Sequence, residues 1–154
     1  MDASQITDYL YISRRVYDWD VPILQEMEVR LAISMIVHLR PPKALRESSV
    51  EVLHFRTFDF PLLPIPVKTL TRGVESSLPI IQDGHKVLVF CEAGRHRSVA
   101  MAASILIGMG YSAEEAMDLI SKNRRVADPY AGHIQRQIRK FEKEWNQHVG
   151  PQAF

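Results

Sequence analysis

Blocks of apolar and polar positions follow one another along this chain in a way that predicts strands alternating with helices. Residues 31–37 and Lys86–Phe90 form two short apolar blocks, typical of strands that are buried on both faces. Residues 9–13 and 51–55 predict two more strands, the first at an edge of the sheet. Because such strands need helices on both sides, we expect an α/β fold with a mostly parallel central sheet flanked by helices.

Apolar positions at helical spacing predict a helix over Val67–Gln82, although Gly73 and Pro79 oppose it. Three prolines within residues 59–66 predict a stiff, irregular loop before that helix. Three further helices are predicted over residues 98–109, over residues 113–123 behind a Ser112–Glu115 capping box, and from Asp128-Pro129 onward. No repeat or low-complexity tract interrupts the pattern, so residues 1–154 are predicted to form one domain.

Charge and cysteine content exclude several classes of protein. Lys and Arg number 19 against 18 Asp and Glu, which gives no overall attraction to nucleic acid or to an anionic membrane. The longest apolar helical stretch, residues 99–109, is too short to span a bilayer, and the N-terminus lacks a signal-peptide pattern. Cys91 is the single cysteine, which excludes an intrachain disulfide and a four-cysteine zinc site. We therefore expect a cytoplasmic protein.

The cysteine stands where α/β folds place their ligands, between a buried strand and a helix N-terminus. The segment reads Cys91-Glu92-Ala93-Gly94-Arg95-His96-Arg97-Ser98. Gly94 permits a backbone turn that aims successive N–H groups inward, and the next helix adds its own unpaired N–H groups. Arg97 supplies a planar fork that matches two phosphate oxygens. These groups converge on Cys91 and favour its reactive thiolate form, so residues 92–97 are predicted to bind phosphate.

The spacing of Cys91, Arg97 and Ser98 resembles the signature of the cysteine-dependent protein phosphatases. Residues 6–12 are similar to the opening strand of the compact dual-specificity type, residues 113–116 and 124–129 to its penultimate helix and turn, and residues 137–142 to its terminal helix. The resemblance implies that Cys91 attacks phosphorus, Arg97 and the loop amides hold the phosphoryl oxygens, and Ser98 stabilises the departing sulfur. By position it also implies that Asp59 protonates the leaving oxygen and later activates water.

One residue departs from the family pattern, and several others have simpler interpretations. Phe90 stands where the family usually has a histidine, so either the thiolate of Cys91 is less favoured or the loop is supported in another way. Arg95 and His96 either face solvent or favour polyanionic substrates at the pocket mouth. The Glu92 carboxylate is expected to turn to solvent, and the Arg124-Arg125 pair to form a solvated face. The remaining histidines, His133 among them, show no ligand spacing, so no metal site is predicted.

We therefore expect a cofactor-free phosphomonoester hydrolase that acts through a phosphocysteine, with phosphorylated protein as the leading substrate. Two alternatives stay open. The same chemistry could serve a non-protein phosphoester, such as an inositol phosphate, a phosphoinositide or an RNA 5′-phosphate. Alternatively, the domain could bind phosphate with little turnover, an interpretation that Phe90 alone supports. The sequence leaves the oligomeric state open.

Overall fold

In the computed structural model, which describes residues 1–149, five strands form one sheet. The strands are β1 (Ala3–Thr7), β2 (Leu10–Ser13), β3 (Val29–Ser34), β4 (Glu51–His54) and β5 (Lys86–Phe90). Their spatial order is β1-β2-β5-β3-β4, and every neighbouring pair is parallel except the antiparallel β1–β2 hairpin. The predicted fold class, a mostly parallel sheet flanked by helices, is therefore confirmed.

Six α-helices cover the two faces of the sheet. They are α1 (Val21–Glu26), α2 (Lys43–Arg46), α3 (Val67–Gln82), α4 (Arg97–Gly108), α5 (Ala113–Asn123) and α6 (Gly132–Val149), with a short 3₁₀ helix over Asp18–Asp20. Buried side chains of α3 to α6 form one hydrophobic cluster with one face of the sheet. Those of α1 and α2 form a second cluster with the other face. Strands buried on both faces therefore explain the apolar blocks of the sequence.

The alternation of side chains along β5 decides which way the cysteine faces. Val87, Val89 and Cys91 belong to the cluster beneath α3 to α6, whereas Leu88 and Phe90 belong to the opposite cluster. Successive side chains in a strand point to opposite faces, and Cys91 continues that alternation one residue beyond the strand. The Phe90 ring is consequently buried on the far side of the sheet from the sulfur.

Two short elements escaped the sequence analysis, and one prediction was wrong. The segment predicted as an edge strand, residues 9–13, contains β2, which lies inside the sheet because β1 pairs with it on the outer side. Strand β1 carries a single buried residue, Ile6, so it shows no apolar alternation. Helix α2 has four residues and buries only Leu45, which is too little for a periodic signal.

The ends of two predicted elements are displaced because their backbone groups serve the loop after β5. Strand β3 stops at Ser34 rather than at residue 37, and the carbonyl of Met35 accepts a hydrogen bond from Arg97 instead. The last helix begins at Gly132 rather than near Asp128, whose backbone N–H donates to the carbonyl of Arg95 at 3.0 Å. In contrast, α3 spans the predicted residues Val67–Gln82 in full, with Pro79 inside it.

Candidate active site

The loop between β5 and α4 has its carbonyl groups turned outward. The carbonyls of residues 92–96 accept hydrogen bonds of 2.8 to 3.1 Å from Arg15 N–H, Arg124 Nη2, Arg124 Nε, Asp128 N–H and Ala100 N–H, in that order. The backbone N–H groups of the same five residues find no protein acceptor within residues 1–149. With every carbonyl held outside, these N–H groups are free to face a common centre, which is the arrangement that binds an oxyanion.

Gly94 makes the tight curvature of the loop possible. Its φ of +65° lies in the left-handed region, which L side chains rarely adopt. A Cβ at this position would lie 2.5 Å from Arg124 Nη2 and 2.7 Å from the carbonyl oxygen of Ser13. Both the backbone conformation and the close neighbours therefore require glycine here.

Cys91 lies at the base of the loop beside the first turn of α4. Its Sγ is 3.1 Å from Ser98 Oγ, and both side chains are buried. A hydroxyl at this distance can donate a hydrogen bond to a thiolate. The structure thus brings together the sulfur and the hydroxyl that the sequence analysis paired.

Arg97 is fixed on one side and unsatisfied on the other. Its Nη1 donates to the carbonyls of Met35 (3.1 Å) and Thr57 (2.8 Å), which follow β3 and β4. Its Nε is buried and has no partner among the described residues. A buried N–H donor without an acceptor is costly, so the guanidinium edge that carries Nε is suited to a phosphate oxygen.

Arg124, which the sequence analysis assigned to a solvated face, is a buried support of the loop. Its side chain is 1% exposed and donates to the carbonyls of Ala93 and Gly94. It also forms a bidentate ion pair with Asp2, both contacts measuring 3.0 Å. The earlier prediction was wrong because five N–H donors in one plane can be satisfied inside the protein when carbonyls and a carboxylate converge on them.

Asp59 is clamped between two histidines. Its Oδ2 accepts from His96 Nδ1 and its Oδ1 from His133 Nε2, each at 2.8 Å. Partial burial on its own raises the pKa of Asp59, but the hydrogen bonds from His133 and His96 outweigh burial and hold the pKa below the ordinary value of 3.8. His133 was assigned no role from the sequence. Because 74 residues separate it from Asp59, no local pattern could have indicated the contact.

Two further side chains of the loop, Glu92 and Arg95, are exposed and lie near charged or titratable groups outside it. Glu92 is about two-fifths exposed, 3.6 Å from His38, and Arg95 is more than half exposed, 3.8 Å from Asp128. Their contribution to the loop is therefore through the backbone. His96 takes neither of the two expected positions, because it is mostly buried against Asp59. Asp59, His96 and His133 also form the group of potential metal ligands in the described chain, with all ligand atoms within 4.8 Å of one another.

A family model and several curated proteins match this chain. Residues 10–144 match the family described as "Dual specificity phosphatase, catalytic domain". Mouse dual specificity phosphatase 28 is 30% identical over 122 residues, which cover 77% of this chain and 72% of that protein. Rat phosphatidylglycerophosphatase and protein-tyrosine phosphatase 1 is 39% identical over 83 residues, which cover 53% of this chain and 42% of the rat protein. The first curated relatives are thus matched over less than half of their length.

Solved structures show the same fold. The crystal structure of PTPMT1 in complex with PI(5)P superposes with a TM-score of 0.83 at 23% identity, over 96% of this chain and 98% of that one. Human DUSP28 superposes with a TM-score of 0.79 at 21% identity, over 94% of this chain and 98% of that one. None of the helices described here is long and apolar enough to cross a membrane.

Proposed function

This chain belongs to the dual-specificity phosphatase family, and from that premise we propose that it hydrolyses phosphomonoesters through a phosphocysteine formed on Cys91. One observation carries the proposal: the buried sulfur lies at the base of a loop in which the carbonyls of residues 92–96 all accept hydrogen bonds from groups outside the loop. The inward N–H groups and the free edge of Arg97 then hold the three equatorial oxygens as charge spreads over them. No metal takes part in this chemistry.

The second half-reaction needs a stabilised leaving thiolate and a proton carrier. Ser98 Oγ, 3.1 Å from Cys91 Sγ, donates a hydrogen bond to the sulfur as the phosphocysteine breaks. In the first step Asp59 protonates the leaving oxygen, and the negative charge of the bound substrate favours the protonated carboxyl that this step needs; in the second step Asp59 removes a proton from the attacking water. Its hydrogen bond with His96 attaches Asp59 to the phosphate loop itself, which supports this assignment.

Hydrolysis of p-nitrophenyl phosphate in the presence of EDTA and a thiol reductant tests the chemistry. The wild-type protein should turn over, and Cys91→Ser should not. Acid quenching of Asp59→Asn during turnover should trap a phosphorylated protein that Cys91→Ser never forms. Absence of turnover by the wild type between pH 5 and 8 would instead favour a phosphate-binding module.

Phosphorylated protein is the leading substrate, in keeping with the tyrosine and dual-specificity phosphatases among the relatives. A second substrate class, a phosphoinositide or similar phospholipid, is favoured by one specific feature. Phe58, Phe60, Leu62 and Leu63, around Asp59, are between 47% and 79% exposed. A cleft of about 550 Å³ beside them is lined by apolar residues together with Arg56 and Arg72. Exposed apolar groups next to cations suit an amphipathic, anionic ester.

A matched substrate set separates these classes. Phosphotyrosine and phosphothreonine peptides, a phosphatidylinositol phosphate in vesicles and the soluble inositol phosphate with the same headgroup should be compared at equal phosphate concentration. A protein phosphatase will prefer the peptides. Preference for the vesicle over both its soluble headgroup and the peptides would select the phospholipid. The vesicle lipid and the soluble headgroup differ only in the apolar part, so that comparison isolates its contribution. The cytoplasmic location stays a prediction, supported by the need to keep Cys91 reduced.

A further inference from the structure

Three side chains that are distant in sequence meet at the rim of the phosphate loop. His96 stands just before α4, His133 is the second residue of α6, and Asp59 lies in the loop after β4. Each imidazole contacts a different oxygen of the carboxylate at 2.8 Å, and the two rings are 5.2 Å apart between centroids. Two of the three side chains, the histidines, therefore stand at the starts of helices, which restricts how far they can move.

Two imidazole nitrogens and one carboxylate oxygen form the donor set of a zinc site with an open position. Zinc takes nitrogen and oxygen ligands at about 2.0–2.2 Å, so a central ion would hold its ligand atoms roughly 3–4 Å apart. The ligand atoms here already lie within 4.8 Å of one another. His96 and His133 are 19% and 16% exposed, whereas Asp59 is 37% exposed and leaves one side open to solvent. Mg²⁺ and Ca²⁺ prefer oxygen ligands and do not suit this set.

An independent feature supports the interpretation of this cluster as a metal site. The second ring nitrogen of His96, Nε2, is buried without a hydrogen-bond partner among residues 1–149. The carboxylate of Asp128 lies 3.8 Å from it. A histidine that binds a metal usually donates its other ring N–H to a carboxylate, which fixes the tautomer and the ring orientation. A small movement of Asp128 toward Nε2 would complete that pair.

We propose that His96, His133 and Asp59 bind one Zn²⁺ ion, and that the bound ion inhibits the phosphatase. Zinc would replace the protons that the imidazoles now share with the carboxylate, and its positive charge would oppose protonation of Asp59, so Asp59 could no longer serve as an acid. It would also hold His96, a residue of the phosphate loop. Binding of zinc is independent of the proposed reaction, whereas the inhibitory effect rests on the role proposed for Asp59.

Zinc binding is measured first, by isothermal titration calorimetry of Cys91→Ser with Zn²⁺, because this variant lacks the competing thiolate. One ion should bind. In the Cys91→Ser background, His133→Gln should weaken zinc binding by at least about 10–100-fold. Substitution of a residue that only supports a metal ligand already lowers metal affinity by about that factor. Glutamine keeps an N–H donor for Asp59 but offers no imidazole. The matched control is His148→Gln, an exposed histidine of the same helix, which should leave the affinity unchanged.

The inhibitory effect is measured as the ratio of rates with and without Zn²⁺, for wild type, His133→Gln and His148→Gln that retain Cys91. Wild type and His148→Gln should be inhibited and recover with EDTA, and His133→Gln should need at least about tenfold more zinc. Zinc binding that is lost in Cys91→Ser, or that is the same in His133→Gln, would overturn the site. Zinc bound at the site without any inhibition would overturn only its effect, while failure of the wild type to turn over at all would concern the proposed function.

Discussion

The two loops of the site, residues 91–97 after β5 and residues 58–66 after β4, are held in different ways. In the first, every carbonyl of residues 92–96 has a donor, and Arg124 and Ser98 are buried around it. The second is rich in proline and exposes four large apolar side chains, and its one charged group is held by two histidines. The groups proposed to hold phosphate are thus fixed by hydrogen bonds to backbone carbonyls. Asp59, the proposed proton carrier, is instead held by side-chain contacts with His96 and His133.

The largest expected effect comes from the sulfur at the base of the phosphate loop. Cys91→Ser should lower kcat for p-nitrophenyl phosphate by roughly 10⁴-fold or more, as removal of a nucleophile typically does. Phosphate or vanadate should still bind, because the backbone N–H groups and Arg97 remain, and calorimetry with vanadate measures this. A variant that turns over at the wild-type rate would remove Cys91 from its role.

Two glycines with positive φ test how rigid the phosphate loop is. Gly94→Ala adds steric overlap with Arg124 and Ser13 to its backbone strain, whereas Gly84→Ala, at φ +79°, adds strain alone because nothing lies within 4 Å. We expect Gly94→Ala to lower stability by about 2–4 kcal/mol and activity by roughly 100-fold, and Gly84→Ala to lower stability by about 1–2 kcal/mol with normal activity. Urea unfolding and kinetics compare them. Equal losses of stability and activity in the two variants would mean that Arg124 and Ser13 move aside at little energetic cost.

Asp59→Asn should separate the two loops functionally. We expect a loss of about 100-fold or more with an alkyl phosphate, whose leaving group needs a proton, and a much smaller loss with p-nitrophenyl phosphate. Vanadate affinity should change little because the phosphate loop is untouched. Equal losses with both substrates would argue against the role of Asp59 as an acid.

The smallest effect is expected at Asp2, which reaches the phosphate loop only through Arg124. Its hydrogen bond with Arg124 holds the pKa of Asp2 below the ordinary value of 3.8. A lowered pKa adds stability above pH 4 that is lost as the pH falls through the folded-state pKa. Asp2 is more than half exposed, so solvent screening limits the cost of Asp2→Asn to about 1 kcal/mol, or roughly 2–4 °C in Tm at pH 7. The difference from wild type should shrink as the pH falls below 4, as thermal unfolding at pH 7 and at a series of lower pH values would show.

The sequence predicted the elements that carry strong periodic or apolar signals. Helix α3, strand β5 and the capped helix α5 lie where the pattern placed them. Strand β1 and helix α2 bury one side chain each, and an element with so little burial leaves no pattern to detect. The misplacement of β2 at the sheet edge followed directly from the missed β1.

Within the site, the sequence revealed what lies close together along the chain. Cys91, Gly94, Arg97 and Ser98 form a local pattern, and the structure places them around one loop. The contacts of Arg124 with Asp2 and of His133 with Asp59 span 122 and 74 residues, and they depend on packing between helices and the sheet. A single sequence carries no information on contacts between such distant positions. The sequence therefore did not indicate the places of Arg124 and His133 in the site.

The way Arg97 is held has an energetic consequence for substrate binding. Because Nη1 is tied to the carbonyls of Met35 and Thr57, the long side chain is ordered before phosphate arrives. Immobilising such a side chain during association costs about 0.5–1.5 kcal/mol, and here that loss of conformational entropy is incurred when the protein folds. Under the proposed function, the segments that follow β3 and β4 thus contribute to anion binding indirectly, by holding Arg97 in place.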